Sequence, residues 1–101
     1  MVGMPSYKYK NQVSSQLLAT TDENIKEFNP KLVKLATIFN YGDNDLLVSI
    51  NKPFSGDNSY LIIPSGVPLT WGDNEEVECN KLYFKTEEGE TNFQVVGFES
   101  W

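Results

Sequence analysis

Asn80-Lys81-Leu82-Tyr83-Phe84-Lys85, then Thr86-Glu87-Glu88-Gly89-Glu90, then Thr91-Asn92-Phe93-Gln94-Val95-Val96-Gly97-Phe98, is the passage on which the fold turns. Leu82 and Phe84 recur at every second position in the first run, as do Phe93 and Val95 in the last, which is the period of a strand with one buried face. The five residues between them carry three glutamates and a glycine, a composition suited to a turn. The product is a β-hairpin with Leu82, Phe84, Phe93 and Val95 pointing inward.

The same punctuation recurs upstream. Leu32-Val33-Lys34-Leu35-Ala36-Thr37-Ile38-Phe39 is apolar on both faces for most of its length, as in a central strand. Tyr41-Gly42-Asp43-Asn44 supplies turn residues, and Asp45-Leu46-Leu47-Val48-Ser49-Ile50-Asn51 follows as a strand burying Leu46, Val48 and Ile50, with Leu47, Ser49 and Asn51 on a wetter face. Residues 52–58 read as a loop, Ser59-Tyr60-Leu61-Ile62-Ile63 as a strand, and Pro64-Ser65-Gly66-Val67-Pro68 as a corner where Gly66 takes positive φ. Leu69-Thr70-Trp71 re-enters a sheet, and an acidic loop runs from Gly72 to Glu78. With helix almost absent, the expected fold is all-β, an antiparallel β-sandwich or small barrel over residues 30–101.

Residues 1–29 are rich in Ser, Thr, Asn, Gln and Lys and sustain neither strand nor helix periodicity, so they read as an extended N-terminal arm. Within it, Ser14 to Thr20 suits one strand and Thr21-Asp22-Glu23-Asn24 a short helical turn. Pro30 disfavours helix at Asn29 and marks the boundary of the compact domain. Fully extended, such an arm reaches on the order of 90 Å.

A chain of 101 residues has room for one core, and its 40% hydrophobic and 13% aromatic content is too apolar for a disordered chain. Apolar runs such as Leu61-Ile62-Ile63 fall far short of the roughly 20 residues of a membrane span. The N-terminus lacks the basic and apolar regions of a secretory signal, so export by that route is not expected. Cys79 is the single cysteine; it permits no internal disulfide and no paired-thiolate zinc site, and reads as a small buried hydrophobe opening a strand. A net charge of -6 repels phosphate backbones and anionic lipid, so neither nucleic acid nor membrane is an expected partner. Lys8, Lys10, Lys26, Lys31 and Lys34 come early, whereas Asp73, Glu75, Glu76, Glu78, Glu87, Glu88 and Glu90 come late. Such a chain either stacks head to tail with copies of itself or has solvated loops of unlike sign.

The absence of histidine removes the commonest general base and metal ligand. Asp43/Asp45 and Glu75/Glu76/Glu78 are the available carboxylate sets, but each sits beside turn residues and reads better as a solvated loop than as a glycosidase pair. Asp43-Asn44-Asp45 offers hard oxygens to calcium without the later glycine and glutamate of an EF-hand loop. No phosphate-binding glycine loop or nucleophile elbow is present, so no enzyme activity, catalytic residue, metal or cofactor is expected. The side chains left for partner binding are Tyr7, Tyr9, Leu17, Leu18, Phe54, Trp71 and Trp101. Trp101 either folds back on its domain or docks on a neighbour.

The strand closing on an Asn-Gly-Asp type turn, then Leu47-Val48-Ser49-Ile50, Tyr60-Leu61-Ile62-Ile63-Pro64-Ser65-Gly66, Trp71, Leu82-Tyr83-Phe84-Lys85 and Phe93-Gln94-Val95-Val96-Gly97, resembles small β-sandwich structural proteins of tailed-phage virions. These are capsid decoration or cement proteins and accessory head or tail proteins, and the likeness spans Leu32 to Gly97. It implies a non-enzymatic protein made in the host cytoplasm and located in the virion. Its implied partners are capsid or other virion proteins, in a homo-oligomer or other multi-copy assembly. Two other classes fit the residues: a carbohydrate-recognition module with exposed Tyr and Trp as stacking platforms, and an inhibitor whose acidic loops mimic nucleic acid.

Overall fold

The computed structural model describes residues 11–55, 60–72 and 74–99. Its regular structure is seven strands: β1 (Gln12–Ala19), β2 (Asn24–Asn40), β3 (Leu46–Ile50), β4 (Leu61–Ile63), β5 (Pro68–Thr70), β6 (Cys79–Lys85) and β7 (Thr91–Glu99). No helix occurs among the described residues. The strands form one antiparallel sheet in the order β1-β7-β2-β6-β3-β4, with β5 added to β2.

β2 sets the architecture. Seventeen residues drawn straight would cover roughly 55 Å. Instead Asn24 pairs with Phe84 and Asn40 with Phe93, and those two phenylalanine rings lie 5.0 Å apart. The strand therefore leaves the β6–β7 turn, travels to Leu32 and returns. Its outgoing part pairs with β6 and its returning part with β7, with an irregular register between Glu27 and Leu32. Pro30, which has no N–H to donate to a ladder, lies in that interval, and the Asn29–Pro30 bond is cis. The sheet consequently curls into a half-barrel around Leu32, Leu35, Ile38, Leu46, Val48, Ile63, Leu82, Phe84, Phe93 and Val95. Leu82, Phe84, Phe93 and Val95 are all buried, as the alternation within each strand requires, but β6 and β7 form no hairpin: β2 lies between them and pairs with both. Gly66 has φ 78° and the Val67 N–H bonds to the Pro64 carbonyl, closing the corner where it was expected.

Four further expectations need correction. Residues 12–29 are not an extended arm, because β1 pairs with β7 along its whole length and Ala19 and Phe28 are buried in the core. β1 does alternate: Val13, Ser15, Leu17 and Ala19 face inward and Gln12, Ser14, Gln16 and Leu18 outward, but Ser15 inside and Leu18 outside disguise the period. Residues 1–10 lie outside the described residues. Thr21–Asn24 forms a bend and not a helical turn, with the Asp22 N–H donating to Thr20 Oγ1 and the Ile25 N–H to Asn24 Oδ1. Pro30 falls inside β2 and not at a boundary. On β3, Leu47 and Ser49 are buried along with Leu46 and Val48, so the wetter face begins only past Ser49.

Candidate functional site

β3 ends where Asn51 adopts φ 65°. Its side chain fixes the reversal: Oδ1 accepts from the backbone N–H groups of Asn80 (2.8 Å) and Lys81 (3.1 Å), and Nδ2 donates to the Glu78 carbonyl (3.1 Å). The chain then brings Phe54 to the end of β6, where Lys85 Nζ lies 4.7 Å from its ring centroid. Tyr60 meets the same ring edge-on, with centroids 5.8 Å apart and planes inclined at 64°. These contacts hold the phenylalanine between a cation and a second ring, each a favourable partner for its π-system. The cleft they border has a volume of about 530 Å³ and is completed by Leu47, Ser55, Thr21, Glu23, Thr86 and Glu87. Tyr60 also walls a shallower hollow of about 200 Å³ with Val48, Ser49, Ile50 and Leu61.

Beyond Tyr60 the outermost strand is unusually bare. Tyr60, Leu61 and Ile62 are 46%, 39% and 57% exposed, whereas Ile63 is buried. β4 pairs only with β3 among the described residues, so its outer edge is open. An apolar strip and an aromatic cleft thus meet at one tyrosine.

The turns near the cleft are acidic. Asp43, Asn44, Asp45, Glu87 and Glu88 border a hollow of about 220 Å³. No group of three or more His, Cys, Asp or Glu side chains among the described residues is placed to hold a metal ion. Asn40 accounts for the shape of this region. Its Nδ2 donates to the Asn44 and Ile63 carbonyls, each at 2.8 Å, and its Oδ1 accepts from the Gly42 N–H (3.2 Å) and Thr91 Oγ1 (2.6 Å). A buried amide is thereby fully satisfied while it ties β2, β4 and β7 together. Gly42 is required beside it, since a Cβ there would lie 2.2 Å from Thr91 Oγ1.

Of the side chains expected to bind a partner, the structure brings Phe54 into the cleft. Leu18 is exposed on β1, whereas Leu17 and Trp71 are partly buried and packed against the core. The Trp71 N–H is bonded to the Ala36 carbonyl. Tyr7, Tyr9 and Trp101 lie outside the described residues. Leu61, Ile62 and Lys85 were not singled out from the sequence. The signal was available for the first two: four consecutive apolar residues before Pro64 cannot all face inward on an edge strand. Cys79 is buried, and desolvation pushes its thiol up from 9.0 to about 12, which removes thiolate chemistry near neutrality.

Comparison with protein-family models, with curated proteins and with solved structures finds no match.

Proposed function

We propose that the chain is a non-enzymatic structural protein of a tailed-phage virion, a capsid decoration or cement protein that seats β4 and the adjoining cleft on the capsid surface. The observation that carries this reading is the exposed run Tyr60-Leu61-Ile62 on an open edge strand. Apolar area left in water costs about 25 cal/mol per Å², so contiguous bare side chains gain by being covered. Tyr60 at the centre, flanked by aliphatic side chains, matches the anchor-and-surround pattern of protein interfaces. In this reading the two halves of the half-barrel act as leaves of a β-sandwich, β1-β7-β5 on the returning part of β2 and β6-β3-β4 on the outgoing part. The Phe84–Phe93 contact supports it. Mass spectrometry of purified particles encoded by the neighbouring genes tests the location. Stoichiometric recovery is the expected result, and absence from the particles contradicts it.

The cleft itself favours a second reading, a carbohydrate-recognition module. Tyr60 offers a ring face, and Thr21, Glu23 and Glu87 offer hydrogen-bonding groups beside it. A glycan array separates the readings: loss of a specific glycan signal on Tyr60→Ala supports this alternative, and no signal from the unaltered chain dismisses it.

A further inference from the structure

The cleft at the end of β6 joins aromatic rings to carboxylates. Leu47 pairs with Lys85 on one side of β6 and Asn24 with Phe84 on the other, so Glu23, one residue before Asn24, comes level with Lys85. The Thr86 N–H donates to the Thr20 carbonyl at 2.8 Å, which ties the turn carrying Glu23 to the turn carrying Glu87. Both carboxylates therefore line the cleft together with the Tyr60 ring. Neither is paired with a cation among the described residues. Lys85, which lines the same cleft, lies instead on the Phe54 ring. Glu87 also borders the hollow formed with Asp43, Asp45 and Glu88, so carboxylates outnumber ammonium groups across the two adjoining cavities and the local field is negative.

We propose that the cleft takes the guanidinium of an arginine side chain carried by the partner protein, an inference that rests on reading the cleft as part of the seat. Charge complementarity selects a cation. Arginine suits the cleft better than lysine, because its planar guanidinium stacks on aromatic rings, is weakly hydrated and meets carboxylates with a fork of N–H donors. The exposed Tyr60 ring supplies the apolar face, and Glu23 and Glu87 supply the acceptors. Lys85 on Phe54 is the same kind of cation–ring contact, made within the chain. It also limits affinity, since an incoming cation enters beside a like charge. A sugar reverses that relation, because Lys85 would donate to its hydroxyl groups.

Nuclear magnetic resonance titration of the full chain with N-acetylarginine amide tests the proposal without capsids. N-acetylcitrulline amide, which keeps the shape of that probe without its charge, is the comparison. The arginine probe should shift the backbone amides of Glu23, Tyr60, Lys85 and Glu87 and saturate on the order of 10 mM, with the citrulline probe about fivefold weaker. Glu23→Gln with Glu87→Gln should weaken the arginine probe about fivefold and flatten its salt dependence, with unchanged circular dichroism. Lys85→Met removes the like charge and should tighten binding about threefold. No saturable shift up to ~50 mM overturns the proposal. So does citrulline binding as tightly as arginine, or weaker arginine binding on Lys85→Met. A seat made by β4 alone survives each of those results, and absence of the protein from particles leaves the titration unchanged, so the two readings fail separately.

Discussion

Asn40 is fully buried and makes four hydrogen bonds, to groups as far as 51 residues away in the chain. Asn40→Ala leaves the Ile63 and Asn44 carbonyls, the Gly42 N–H and the Thr91 hydroxyl without this partner. At ~1–3 kcal/mol for each buried group left unpaired, the expected loss is about 3 kcal/mol or more, comparable with the ~3–5 kcal/mol expected for Phe93→Ala. Urea titration checks both, and a loss under 1 kcal/mol for Asn40→Ala contradicts the account of the turn. Phe93 was legible from the sequence because alternation within its own strand orients it, although the hairpin expected of β6 and β7 is replaced by β2 lying between them. Asn40 was not, because an asparagine before Tyr-Gly-Asp reads as an exposed turn residue until Ile63 and Thr91 are known to close over it. Cys79 gives a pH prediction. Its thiol is harder to ionise folded than unfolded, with about 12 against 9.0, so ionisation favours unfolding. This group leaves stability untouched below pH 9, and above that subtracts about 1.4 kcal/mol per pH unit until pH 12. The difference in urea midpoint between the unaltered chain and Cys79→Ala should change in that window alone; a constant difference from pH 7 to 11 contradicts the burial.

The elements divide by how far their signals travel in sequence. β3, β6 and β7 were readable because each carries its own apolar pattern and is bounded by Gly, Asn or Pro. β1 was legible only as a strand from Ser14 to Thr20 inside a supposed arm, and the outgoing part of β2 was not legible, since small polar residues share both faces and burial comes from β7 and β6, which arrive more than 50 residues later. This changes what truncation does. A chain starting at Asn29 loses Ala19 and Phe28 from the core and strips β7 of a partner along its length. The expected outcome is loss of the cooperative thermal transition in far-ultraviolet circular dichroism. A truncated chain that melts sharply, at the temperature of the full chain, contradicts the placement of β1.

At the scale of the whole molecule, carboxylates cluster at one end of the sheet and an apolar strip lies along its β4 edge, with Leu18, Ile25, Tyr41 and Val67 exposed elsewhere. Asp22, Glu23, Asp43, Asp45, Glu87, Glu88 and Glu90 gather on the turns at one end of the sheet, and Tyr60, Leu61 and Ile62 line its β4 edge. The all-β class followed from the sequence, but the curl did not, because it depends on β2 changing partners near Pro30. This arrangement suits a protein kept dispersed by its net charge and seated on a partner through the β4 strip. Ile62→Glu puts a charge at the most exposed large apolar side chain among the described residues and leaves the core untouched, so the fold should survive it while docking does not. The most direct measurement is co-sedimentation of the unaltered protein and Ile62→Glu with emptied capsids encoded by the genes beside its own. The account predicts that the unaltered chain pellets with the capsids and that Ile62→Glu, with an unchanged circular dichroism spectrum, stays in the supernatant. An unaltered chain left in the supernatant, or an Ile62→Glu variant that pellets equally, contradicts it.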